Sequence, residues 1–187
     1  MTKTVEFRPT IKAVKMNKGG KQEIVLSIEN GSLDGKFESI NQLIGEAVNV
    51  ILQPSVISYR IPFDIENDSP YLKYVVNSDG IVVEMKEEQM AIDGLNNTSY
   101  KDYIVEMDDV DTFIKDANSI TLPPNIELNP RTILEYLDDG MTYEEIAGEM
   151  ETKEINVTND LDKARQYFAP YAAAWADYNK WQEKFWF

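Results

Sequence analysis

Asp64, Glu84 and Lys86 are the residues whose types and spacing come nearest to a catalytic set. Asp64 follows the apolar run Ile61, Pro62, Phe63, and Glu84 and Lys86 end a run through Ile81, Val82 and Val83. Carboxylates are the ligand type that a hard divalent cation takes. A hairpin with a solvated end carries the same Glu-x-Lys pattern without any chemistry. The chain has no Cys and no His, which excludes disulfides, thiolate zinc sites and histidine-based triads. Asp108, Asp109 and Asp111 lack the glycine and terminal glutamate of a calcium loop and read as a solvated acidic helix face. Gly19 and Gly20 lack the Lys-Ser/Thr context of a phosphate-binding loop. No resident metal or cofactor is expected.

Negative charge is the more abundant chemical resource. Of 187 residues, 18 are Lys or Arg and 33 are Asp or Glu, for a net −15. Residues 1–60 hold 8 bases and 6 acids, whereas residues 61–187 hold 10 bases and 27 acids. Residues 84–160 alone, with 20 acids and 5 bases, carry a charge equal to that of the whole chain. Such a field repels phosphate backbones and attracts basic clefts, so direct DNA binding by the second half is disfavoured. An acidic surface also keeps a protein soluble without any partner. The N-terminal bases Lys3, Arg8, Lys12, Lys15, Lys18 and Lys21 have two readings. They protect an edge strand, or they contact nucleic acid with Phe7 and Tyr59 as stacking platforms.

The third resource is aromatic. Tyr171, Trp175, Tyr178, Trp181 and Phe185 recur at helical spacing, and Trp186 and Phe187 follow. Tyr171, Trp175 and Tyr178 are expected to pack on the preceding helices. Trp181, Phe185, Trp186 and Phe187 are harder to bury together and suit an interface, with a partner or with a second copy through the last helix.

The elements that must position these groups form an α+β chain: a mostly antiparallel N-terminal sheet with one helix, then helices. Alternation at Val5, Phe7, Ile11 and Ala13, then at Ile24, Leu26 and Ile28, gives a hairpin that turns at residues 17–21. Pro9 is expected at an edge or a bulge. Residues 33–44 read as an amphipathic helix ended by Gly45, and residues 47–52 and 56–65 as strands. A last hairpin joins 71–76 to 81–85 through Asn77, Ser78, Asp79 and Gly80. Residues 86–98 read as a linker, and 102–116 as a helix with Tyr103, Met107, Val110 and Ile114 on one side. Pro123 and Pro124 break the chain. Asn129 caps a helix with Pro130 at its first position, Gly140 ends it, and Thr142 with Glu145 forms the next cap. A final helix is expected from Pro170. The expected divisions are a β-rich domain over 1–90, an acidic connecting segment over 91–126 and a helical domain over 127–187. No apolar run approaches the roughly 20 residues of a membrane span, and residues 1–10 lack a signal-peptide core, so a cytoplasmic protein is expected.

Three resemblances extend this reading. Asp64, Glu84 and Lys86 resemble the Asp…Glu-x-Lys core of the restriction-endonuclease-like nucleases, which implies a Mg²⁺-dependent nuclease. Residues 133–147 resemble the first half of a helix-turn-helix unit of the response-regulator type. A helix ends at Gly140, Thr142 caps the next, and Glu145, Ile146, Ala147 follow. Val157 and Leu161 sit where that family's second helix faces its core. The charge departs from the family: residues 129–165 hold 10 acids and 4 bases, and Glu154, Asn156, Asn159, Asp160 and Asp162 stand where a reader helix needs a basic frame. A helical scaffold turned to protein contact is the expected use. Finally, residues 7–12 with the Lys18, Gly19, Gly20, Lys21 turn, Leu43-Ile44-Gly45, residues 58–64 and residues 77–86 resemble small proteins of phages and prophages of Gram-positive bacteria. That resemblance implies a phage protein acting on nucleic-acid machinery.

The leading expectation is a non-enzymatic inhibitor of a host defence nuclease, of anti-CRISPR or anti-restriction type. It would act as an acidic DNA mimic in a basic cleft. Asp102, Asp108, Asp109, Asp111, Asp116, Asp138, Asp139, Glu144, Glu145, Glu149 and Glu151 would stand in for phosphates. Trp181, Phe185, Trp186 and Phe187 would add anchors. The alternative is an accessory protein of phage recombination or replication that binds a partner or single-stranded DNA.

Overall fold

The computed structural model describes residues 5, 7–17, 19–48, 50–86 and 98–185, with residues 98, 183 and 185 described in their backbone only. The chain divides into two compact units, Met1–Gln53 and Pro54–Phe187.

In the first unit, β1 (Thr10–Met16) pairs antiparallel with β2 (Gln22–Ser27). The Asn17 backbone N–H donates to the Lys21 carbonyl (2.9 Å), and its Nδ2 donates to Glu23 (2.8 Å). Gly19 and Gly20 turn the chain at φ 111° and 83°, conformations open to glycine but strained for side-chain-bearing residues. The bulge falls between Ile11 and Ala13, at Lys12, and Pro9 lies ahead of the strand rather than in it. The expected helix over 33–44 shrinks to α1 (Phe37–Asn41), because Gly35 at φ 76° interrupts the run that Leu33 would have begun. Residues 47, 48 and 50–52 form no strand, with Val48, Val50 and Ile51 exposed. An apolar run becomes a strand only where a neighbour offers a ladder.

In the second unit, β3 (Val56–Asp64) pairs along its whole length with β7 (Thr98–Glu106), from Val56 opposite Glu106 to Asp64 opposite Thr98. The short β4 (Ser69–Pro70) flanks β3 on its other side. A separate hairpin joins β5 (Leu72–Val76) to β6 (Val82–Lys86), and Asn77 Oδ1 organises its turn by accepting from Asp79 and Ile81 N–H, each at 2.9 Å. Two expectations are corrected here. The helix read over 102–116 is a strand through Glu106 and becomes α2 only at Met107–Asp116, because Tyr103, Ile104 and Val105 find β3 to pair with. The domain boundary at 90 does not hold, since β7 completes the sheet begun by β3. Residues 87–97 of the expected linker lie outside the described residues.

α3 (Pro130–Asp138) starts as expected: Asn129 Oδ1 accepts from Arg131 N–H at 3.0 Å and Pro130 takes the first helical position. α4 (Tyr143–Glu149) opens on a complete capping box, with Thr142 N–H donating to Glu145 at 2.7 Å and Glu145 N–H returning to Thr142 Oγ1 at 3.3 Å. α5 (Glu154–Phe185) corrects the reading of a final helix from Pro170. Pro170 lies inside one helix of 32 residues, at the loss of the bond its missing N–H would give Gln166. The helix persists because Val157, Leu161, Ala164, Phe168, Ala169 and Ala172 make one buried stripe through the proline. That stripe packs against α2, α3, α4 and strands of both sheets, and so forms the spine of the core with Val110, Phe113, Ile114, Ile133 and Ile146.

Candidate protein-binding surface

The buried stripe of α5 carries two charged residues, and each requires a partner because an unpaired charge in the core is costly. Arg165, 5 % exposed, meets Asp111 through Nε and Nη2, both at 2.7 Å. Burial alone would weaken the guanidinium's hold on its proton, but the Asp111 carboxylate together with Tyr143 outweighs this and raises its pKa. Asp160, 6 % exposed, accepts from the backbone N–H groups of Glu127 (2.9 Å) and Leu128 (3.1 Å) and from Lys163 (2.9 Å). Burial pushes its carboxyl upward, while Lys163 and the two N–H groups outweigh that and hold it below the usual carboxylate range. Arg131 reaches back to the C-terminus of α2, donating to the carbonyls of Ile114 (3.0 Å) and Ala117 (2.8 Å). Lys115 ties α2 to α3 through Asp138 at 2.7 Å.

These contacts separate the charges. Residues 107–185 contain seven bases, and four of them (Lys115, Arg131, Lys163 and Arg165) hold acids or carbonyls of the same unit. Thirteen acids in the same stretch are exposed. The outward field is therefore set by carboxylates.

Among the acids expected to meet a partner, Asp111 is corrected to an internal role, as the counter-ion of Arg165. Asp160, expected to be presented by the reader helix, is likewise turned inward. Glu145 is held in the α4 cap, whose hydrogen bonds lower its pKa, and Asp138 in its pair with Lys115. Asp102 lies on β7 rather than on a helix, paired across the sheet with Arg60 at 2.7 Å and still 70 % exposed. Asp108, Asp116, Asp139, Glu144, Glu149 and Glu151 are exposed, and Asp109 is half-buried. Asp139 and Glu144 flank the turn from α3 to α4, and Glu149 and Glu151 lie at the C-terminal end of α4.

The terminal aromatics divide. Tyr171 and Trp175 pack on Phe113, with ring centroids at 6.4 and 5.9 Å, and Tyr171 also meets Tyr74 at 4.8 Å. Tyr178, expected in the core, is exposed at its edge and accepts from Gln182 Nε2 at 2.8 Å. Trp181 is 67 % exposed. The side chain of Phe185 and residues Trp186 and Phe187 lie outside the described residues.

Val157 and Leu161, on the helix that follows α4, are buried. On residues 154–165 the outward positions are Glu154, Ile155, Asn156, Asn159, Asp162 and Lys163, and both bases of the segment's second half, Lys163 and Arg165, are ion-paired. Asn156 is engaged locally with Thr152 at 3.0 Å.

The nuclease-like residues lie on two different sheets. Asp64, at the end of β3, accepts from Glu66 N–H (2.9 Å) and Asn67 Nδ2 (2.6 Å), which stabilises its ionised form and fixes the turn into β4. Glu84 is on β6, in the other sheet, where it accepts from Tyr74 (3.2 Å) and pairs with Lys86 (3.4 Å). Burial first, and then Glu84, raise the Tyr74 phenol well above its ordinary pKa. No group of three or more potential metal ligands is found among the described residues, and no described helix is long and apolar enough to cross a membrane.

Residue types alone drew attention to the acids but missed the importance of Arg131 and Arg165. The available signal was a base on an otherwise apolar helical stripe, at Leu161, Ala164, Arg165, Phe168. Compared with protein-family models, curated proteins and solved structures, the chain matches none.

Proposed function

We propose that this chain is a non-enzymatic inhibitor that binds a basic, nucleic-acid-binding protein in place of nucleic acid, with a phage-encoded blocker of a CRISPR effector or restriction nuclease as the specific form. The supporting observation is the separation of charge in the second unit. Its bases largely hold the fold together, while its acids stand outside on rigid helices. Carboxylates fixed on helices lose little freedom on meeting a basic cleft, and their field steers the encounter. Trp181 adds an exposed aromatic on the same unit.

The test is displacement of labelled duplex DNA from purified CRISPR effector and restriction nucleases of a Gram-positive host, read by fluorescence anisotropy. Displacement should weaken roughly tenfold or more as salt rises from about 0.05 to about 0.5 M. Asp139→Asn combined with Glu144→Gln and Glu149→Gln should weaken it at low salt without lowering stability. Affinity that ignores salt, or that ignores this triple substitution, overturns charge mimicry.

A further inference from the structure

A cleft of about 330 Å³ lies between the β3–β7 sheet and the second half of α5. Its size is at the lower end of the range for small-ligand sites, roughly 300–1,000 Å³. The floor is a cross-strand aromatic pair: Tyr59 and Tyr103 stand opposite each other in the sheet register, with centroids 5.5 Å apart and planes 17° from parallel. Tyr103 is 37 % exposed, so part of its ring is open to a visitor. On the helix side, Ala173 and Ala176 bring no bulk, which leaves the cleft unfilled. The rim carries Asp109 and Asp177, with Lys180 the one base among the lining residues. The positive end of α2, which starts at Met107, is offset by Asp108 and Asp109 in its first turn.

An aromatic face under a carboxylate rim is the chemistry that receives a cation. The ring quadrupole attracts the charge, and the carboxylates accept its N–H groups. Arginine suits this shape better than lysine because its planar guanidinium stacks on a ring while its edge donates to a carboxylate. We propose that this cleft receives an arginine side chain from a basic partner. The proposal rests on the reading of the chain as a binder of basic proteins and assigns one specific contact within it. The sheet and α5 form the cleft within a single compact unit, so it exists before the partner arrives.

The probes are hexa-arginine and hexa-lysine peptides, titrated into the full chain at low salt and followed by calorimetry and tyrosine fluorescence. Hexa-arginine should bind more tightly than hexa-lysine and perturb the tyrosine signal. Tyr103→Leu and Asp177→Asn should each weaken hexa-arginine roughly fivefold, while Tyr103→Phe, which keeps the ring, should retain it. Lys180→Gln should tighten it, because the rim loses its positive charge. Asp177 and Lys180 are exposed, so those two variants keep the test valid if Tyr103→Leu fails to fold. Equal weakening by Asp177→Asn and by Asp139→Asn, which does not line the cleft, would mean a general field and overturn the cleft. Weakening by Lys180→Gln would mean an anion site and overturn it as well. Either result leaves nuclease displacement to be judged by its own assay. Hexa-arginine capture that depends on Tyr103 and Asp177, with no displacement from any nuclease, would support the cleft and reject the inhibitor reading.

Discussion

Asp111→Ala separates acids that build the protein from acids that face a partner. The Arg165 side chain is 6 % exposed, and two of its nitrogens lie 2.7 Å from the two Asp111 oxygens. Truncation leaves a buried guanidinium whose remaining carboxylate is Asp162, 3.9 Å away and 76 % exposed. Breaking a buried pair from one side costs about 3–5 kcal/mol, because the surviving charge has lost its compensation. The Asp111 side chain is 20 % exposed, so water reaches the vacated space and the lower figure, about 3 kcal/mol, applies. For a unit of this size that corresponds to a fall in Tm of roughly 10 °C. Urea denaturation followed by circular dichroism, with calorimetry for Tm, measures it. The double variant Asp111→Ala/Arg165→Met should recover most of the loss, since an apolar side chain of similar reach needs no counter-ion. Asp139→Asn and Glu149→Gln, both exposed, should change stability by no more than about 0.5 kcal/mol. A loss below about 1 kcal/mol for Asp111→Ala, or no recovery in the double variant, refutes the assignment of Asp111 to the fold.

Two further outcomes follow from α5. Asp160 has a depressed folded-state pKa, so its contribution is present at neutral pH and disappears as pH falls through that value, below about 4. Asp160→Asn should therefore lose about 1–3 kcal/mol at pH 7, and the gap from wild type should close towards pH 3; urea midpoints that stay equally separated at both pH values contradict this. Pro170→Ala should raise the urea midpoint by restoring the N–H bond to the Gln166 carbonyl, a gain of about 1–3 kcal/mol. A lower midpoint would show instead that the packing on either side of residue 170 depends on the geometry the proline imposes.

What could be read in the sequence was what a few neighbouring residues decide. Asn129 with Pro130, Thr142 with Glu145, and Asn77 through Gly80 specify their cap or turn within four residues, and each forms as expected. Where the outcome depends on a distant partner, the local pattern misleads. Residues 102–106 carry apolar spacing compatible with a helix, but β3 supplies a ladder more than forty positions away. Residues 47–52 have strand composition and no such partner among the described residues. Pro170 is a local stop signal that loses to an apolar stripe extending to both sides of it. The candidate site shows the same division. The excess of acid was plain from composition, but which acids face outward is settled by Arg165, Arg131 and Lys115, whose targets lie 14 or more residues away.

That arrangement also explains how so acidic a chain supports a compact helical unit. Self-repulsion among carboxylates destabilises a folded state unless the cations are placed where they act most strongly. A cation on the surface is screened by water and salt and gains little from any one neighbour. Arg165 and Arg131 instead act at partly or fully buried positions, where a guanidinium binds a carboxylate or two helix-terminal carbonyls at short range. Few bases are then enough to join α2, α3 and α5, and acids predominate on the exterior. Exchanging Arg131 or Arg165 for lysine tests this reasoning because it keeps the net charge at −15 while removing the forked geometry. If both lysine variants were as stable as the parent, charge alone would suffice and the forked contacts would be incidental. A clear loss would show that the acidic exterior depends on where, and in what shape, the positive charge is buried.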